Sequence, residues 1–128
     1  MERMPKVLVV DGGQECGCLQ SNLQELSEVV LVSGLDEAVG KLRTEQFDAV
    51  FSAWELADGT WADLMAALRE QGVEVPAIVF YHCAGEAEWM KALDAGAFDL
   101  LAPPFDKYKL SVVLEHALAS RQCLAAVA

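Results

Sequence analysis

The sequence predicts an α/β fold, a doubly wound parallel sheet of five strands with five helices. Three observations carry that prediction. Short apolar runs alternate with stretches of helical periodicity all along the chain, the pattern of successive βα units. The links between them are short and marked by Gly, Pro, Asp or Ser. The apolar runs do not alternate with polar residues, as expected of strands covered on both faces.

Each element follows from local chemistry. Lys6–Val10 is the first strand, ending at Asp11-Gly12-Gly13. Leu19, Leu23 and Leu26 recur at i, i+4 and i+7, which places an amphipathic helix over about Glu15 to Leu26. Val29–Val32 is the second strand, closed by Ser33-Gly34. The second helix starts at Asp36, read as its N-cap, turns Ala38, Leu42 and Val39 inward and runs to Glu45. Asp48–Ser52 is the third strand. Trp61, Leu64, Met65 and Leu68 then share one face of a helix that stops at Gly72. Pro76–Tyr81 is the fourth strand, and a helix over about Glu86 to Asp94 ends at Gly96. Phe98–Leu101 is the fifth strand, Pro103-Pro104 breaks the chain, and Leu110, Val113, Leu114, Ala117 and Leu118 form the face of a last helix.

Composition narrows the function. A chain of 128 residues holds one domain with a real core. With 54% hydrophobic and 23% charged residues it is globular rather than disordered. No apolar run approaches the ~18 residues of a membrane span, and the N-terminus lacks the pattern of a secretory signal, so a cytoplasmic protein is expected. The formal net charge of −11 disfavours direct contact with a nucleic-acid backbone and gives no support for a membrane surface. Cys16, Cys18, Cys83 and Cys123 have neither zinc-ligand spacing nor a partner pair of histidines, and reduced thiols are expected. Gly12-x₄-Gly17 places Cys18 where a phosphate loop needs Lys.

Four segments in order resemble the receiver domain of bacterial two-component response regulators: "KVLVVD" (6–11), "FDAVFSAWELADGTWADLMAAL" (47–68), "VPAIVFYHCAGE" (75–86) and "DAGAFDLLAPPFD" (94–106). The resemblance covers residues 6 to 121 and implies a flavodoxin-like sheet of strand order 2-1-3-4-5, with the site at the carboxyl ends of the strands. Receivers accept a phosphoryl group on an aspartate at the tip of the third strand. Neighbouring acids hold Mg²⁺, which neutralises the developing charge. A hydroxyl and a Lys ammonium grip the phosphoryl oxygens.

At the matching positions this chain departs from the family. The acidic pair is Asp11 followed by Gly12, the nucleophile is Ala53, the hydroxyl is Tyr81, the lysine is Pro103 and the switch aromatic is Leu100. A methyl group can neither attack phosphorus nor carry an acyl phosphate. The resemblance with these losses implies a degenerate pseudo-receiver, a phosphorylation-independent signalling module that is not an enzyme, needs no cofactor and acts by protein–protein contact.

Around the expected pocket, Trp54, Trp61, Tyr81 and His82 either fill the space or line a small-ligand site. Glu55 stands as a surface acid or, with Asp11, as a weak Mg²⁺ ligand. Two alternatives stay open. One is a small-molecule or ion sensor in the remodelled pocket. The other is non-standard phosphorylation, for which Ser52 and Asp58 are the nearby candidates. By analogy with the family, a partner or a second copy docks on the last two helices and fifth strand, with Lys91, Leu100, Lys107, Tyr108, Lys109 and Glu115 as candidate contacts. Residues 122–128 read as a tail that resembles a link into an output domain for transcription.

Overall fold

Strands covered on both faces need apolar side chains on both, and the sheet here has them. The computed structural model describes residues 5–11, 17–56, 58–72, 75–81, 86–94, 98–101 and 105–127. The elements run β1 (Lys6–Asp11), α1 (Gly17–Leu26), β2 (Glu28–Ser33), α2 (Leu35–Thr44), β3 (Ala49–Ala53), β4 (Glu55–Leu56), β5 (Gly59–Thr60), α3 (Trp61–Gln71), β6 (Ala77–Phe80), α4 (Glu86–Asp94), β7 (Asp99–Leu101) and α5 (Lys107–Val127). Five of the strands form one parallel sheet in the order β2-β1-β3-β6-β7. Counting sheet strands alone, this is the expected 2-1-3-4-5.

The register carries the core. Val7–Val10 of β1 lie between β2, where Val9 faces Leu31, and β3, where Val9 faces Phe51. Every residue of β3 and of β6 is buried. Phe51, Leu8, Leu19, Leu23, Leu64, Ile78 and Leu110 are fully enclosed, each contributing on the order of 1.5–3 kcal/mol of hydrophobic stabilisation. The inward helix residues are those the periodicity predicts: Ala38 and Leu42 of α2, Leu64 and Leu68 of α3, and Leu110, Val113, Leu114 and Ala117 of α5. β2 is one edge of the sheet. Among the described residues no strand pairs with its outer side, and Leu31 is exposed there.

The end of the sheet away from the strand tips is tied by charge. The Lys6 N–H donates to Asp48 Oδ2 at 2.8 Å, and its ammonium pairs with Glu45 and lies 5.0 Å from the Phe47 ring centroid. Glu45 also accepts from Lys41 Nζ at 3.0 Å, one helical turn away. The Lys6 bond, then the Lys41 bond, hold the Glu45 carboxyl below its ordinary value.

Helix ends follow sequence signals in α3 and depart from them in α2. Thr60 precedes α3 and its N–H donates to Asp63 Oδ2 at 2.9 Å, while Gly72 closes the helix at φ 67°. The predicted N-cap of α2, Asp36, lies in the first turn instead. The helix starts at Leu35 and the capping position is Gly34, at φ 106°. The reason is a carboxylate from elsewhere in the chain, Asp58.

A second departure is the antiparallel ribbon of β4 and β5, in which Glu55 faces Thr60 and Leu56 faces Gly59. α5 continues to Val127, through most of the stretch read as a tail. Among the described residues no helix is long and apolar enough to cross a membrane.

Candidate functional site

In an open parallel sheet the carboxyl ends of the strands form the ligand-binding edge. Because β1, β3 and β6 are neighbours, Asp11, Ala53 and Tyr81 come to that edge side by side. Asp11 ends β1 opposite Ser33 and is half-buried. Ala53 ends β3 opposite Phe80 and is 8% exposed. Tyr81 directly follows β6, its N–H donating to the Leu101 carbonyl at 3.0 Å. Gly12, His82 and Pro103 lie outside the described residues.

Aromatic rings gather just past the end of β3. The Trp54 N–H donates to the Phe80 carbonyl at 3.0 Å, which prolongs the β3–β6 ladder past Ala53. The Trp54 ring stacks on Tyr81, with centroids 4.9 Å apart and planes 17° apart. It also meets Trp61 at 5.1 Å and 44°. Trp61 is buried at the start of α3 against Val79 and Leu100, with Trp54, Met65 and Tyr81 packed around them. Such ring pairs add about 0.5–1.5 kcal/mol beyond the area they bury. The sequence analysis left filling and ligand binding open for these residues, and the rings lie in contact with one another.

The acids of this region have other tasks. Glu55 is exposed on the ribbon, whereas its neighbour Leu56 is buried. The Asp58 carboxylate is the cap of α2: Oδ1 accepts the Leu35 N–H at 2.6 Å and Oδ2 the Asp36 N–H at 3.1 Å. The Leu35 bond, then the Asp36 bond, lower its pKa. Ser52 is buried on β3, and its hydroxyl donates to the Ala53 carbonyl at 3.0 Å. Among the described residues no group of three or more His, Cys, Asp or Glu side chains is placed to hold a metal ion.

The candidate docking face divides. Leu100, read as a surface contact, is buried in the aromatic cluster, because β7 turns it toward Val79 and Trp61. Lys107 leans toward α1, where its ammonium lies 3.7 Å from Glu25. Lys91 on α4 and Tyr108 and Glu115 on α5 are exposed; Lys109 is half-buried, its N–H donating to Asp106 Oδ1 at 2.7 Å. Met90, Leu93 and Tyr108 are large apolar side chains left in solvent on α4 and α5. The sequence reading missed Met90 and Leu93, although both stand on a helix rich in charge. It also missed Asn22, whose amide holds the Phe105 carbonyl at 2.8 Å and fixes the entry to α5.

Comparison with known proteins adds to this geometry. No protein-family model matches the chain. It is 27% identical over 125 residues to the response regulator protein PilR of Pseudomonas aeruginosa, covering 91% of this chain and 26% of that protein. It is 28% identical over 115 residues to the transcriptional regulatory protein ZraR of Klebsiella oxytoca, covering 88% of this chain and 26% of that one. The chain thus spans about a quarter of the length of these relatives. Among solved structures it resembles a two-component response regulator from Clostridium difficile, at 25% identity and a TM-score of 0.77 over 90% of this chain and 96% of that one. It also resembles the receiver domain of a Francisella response regulator, at 21% identity and a TM-score of 0.81 over 91% and 98%. The chain thus has the fold of response-regulator receiver domains and is similar in sequence to part of two regulatory proteins.

Proposed function

We propose that this receiver-type domain signals without accepting phosphate, as a pseudo-receiver that is not an enzyme and acts through protein–protein contact. One observation carries the reading: the tip of β3 presents Ala53, a buried methyl group, where receivers present their nucleophile. The stacked rings of Trp54 and Tyr81 support it, since they occupy the same edge of the sheet. Ser52 and Asp58, the substitutes within reach in sequence, are engaged as a buried hydrogen-bond donor and a helix cap. On this reading the domain works with no metal, Asp11 and Glu55 included.

The contact face we propose is α4, β7 and α5, where Met90, Leu93 and Tyr108 are exposed beside Lys91. We propose a partner protein or a second copy as the occupant, drawn to these exposed apolar side chains, with Lys91 as a polar contact. With a net charge of −11, the domain itself does not touch nucleic acid. The relatives' names, and the quarter of their length that the chain spans, support a place in a larger regulator of transcription.

The test is incubation with Mg²⁺ and acetyl phosphate, read by intact-mass spectrometry. The expected result is no added phosphoryl mass. A stoichiometric phosphoadduct overturns the proposal.

A further inference from the structure

We infer that the β4–β5 ribbon is a strap that fixes the third-strand tip in one arrangement, with Asp58 as its latch. The first four N–H groups of a helix have no partner within it, and the residue just before the helix ordinarily supplies the cap. In α2 that residue is Gly34, which has no side chain. The cap comes instead from Asp58, 23 positions from Leu35 and 22 from Asp36 in the chain. Two N–H donors and the positive end of the helix dipole meet one carboxylate there.

Gly34 is required twice over. Its φ of 106° is strained for any other residue, and a Cβ there would lie 2.7 Å from Asp58 Oδ1. Gly59 makes the same kind of room, since a Cβ would lie 2.7 Å from Asp63 Oδ2 and 3.2 Å from Leu35 Cδ2. The ribbon is thus wedged against the starts of both α2 and α3, where Asp63 accepts the Thr60 N–H. Its base is closed by the Trp61 N–H, which donates to the Trp54 carbonyl at 3.2 Å. Trp54 is the residue whose ring lies on Tyr81. A continuous set of contacts therefore runs from the α2 start, through Asp58 and the ribbon, to the ring stack just past the end of β3.

These contacts are separate from the reading that phosphate is not accepted, and the two fail separately. A phosphoadduct would leave the strap's expected behaviour unchanged.

The experiment is amide hydrogen exchange on the full chain, with acrylamide quenching of tryptophan emission in a Trp89→Phe background. In Asp58→Ala, exchange at Leu35 and Asp36 is expected to accelerate about tenfold, the equivalent of one lost cap. Exchange at Trp61 should accelerate with it, and quenching should rise about twofold as the ribbon opens. Asp36→Asn, which removes the same charge from the same turn but no cap, should change none of these. If only Leu35 and Asp36 respond, Asp58 is a helix cap and the strap is overturned; no response at any position overturns it equally. Gly34→Ala, which displaces the carboxylate from the other side, is the second variant and should give the same three responses.

Discussion

The two tyrosines of this chain stand in opposite surroundings. Tyr81 lies against the Trp54 ring at the sheet edge where a receiver would carry out its chemistry. Tyr108, on α5, is 80% exposed. Stacked rings stand beside the first, whereas Met90, Leu93 and Tyr108 are apolar side chains left in solvent on α4 and α5. A surface that must release and rebind a protein gains from exposed apolar groups. The contrast supports the contact face proposed on α4, β7 and α5.

Substitutions can break or sharpen that contrast. The largest effect is expected at Trp61, which is 3% exposed. Trp61→Ala should cost about 3–5 kcal/mol in urea unfolding, and a cost below ~1 kcal/mol would show that the tip is not packed. Ala53→Asp comes next. A carboxylate at this buried position, opposite Phe80 and beside the rings, should destabilise by roughly 2 kcal/mol and still yield no phosphoadduct with acetyl phosphate. On the proposed reading a carboxylate alone is not enough, because the position of the family's lysine holds Pro103. Trp54→Ala should cost about 1–2 kcal/mol through loss of the ring stack; a value near zero would mean the Trp54 and Tyr81 rings do not hold each other.

Tyr108→Ala on the open side should leave unfolding within ~0.5 kcal/mol while weakening capture of a partner or self-association seen by sedimentation. The smallest effect is on pH dependence. Asp58 and Glu45 have folded pKa values below their ordinary 3.8 and 4.5. Their stabilising contribution is complete above those ordinary values and is lost as pH falls through the lowered ones. Melting followed from pH 5 to pH 2 should therefore fall less steeply in Asp58→Asn than in the parent.

Much of this was legible before any coordinates. The sheet strands were readable because β1, β3 and β6 are short, apolar and bounded by turn residues, and the helices because their leucines keep a 3.6-residue period. Trp54, Trp61 and Tyr81 could be placed near one another because each falls at the end of an element on the same side of the sheet. The ribbon was not legible, since strands of two residues carry no periodicity. The cap of α2 escaped for a different reason. Asp36 is a good capping residue locally, and nothing in a local reading shows that Asp58 arrives from 22 positions away. Leu100 was misplaced because family analogy assigned it a surface role, whereas an apolar side chain on a buried strand packs inward.

The outer edge of β2 has a consequence of its own. Among the described residues this edge is unpaired and carries an exposed leucine, and such an edge offers open hydrogen-bonding groups to any other chain. Mutual repulsion among like-charged molecules helps hold such edges apart, and a net charge of −11 supplies it at low ionic strength. Added salt shortens the reach of that repulsion to about 3 Å at 1 M. Concentrated solutions of this domain should accordingly turn cloudy on salting at neutral pH, and a lysine in place of Leu31 should keep them clear.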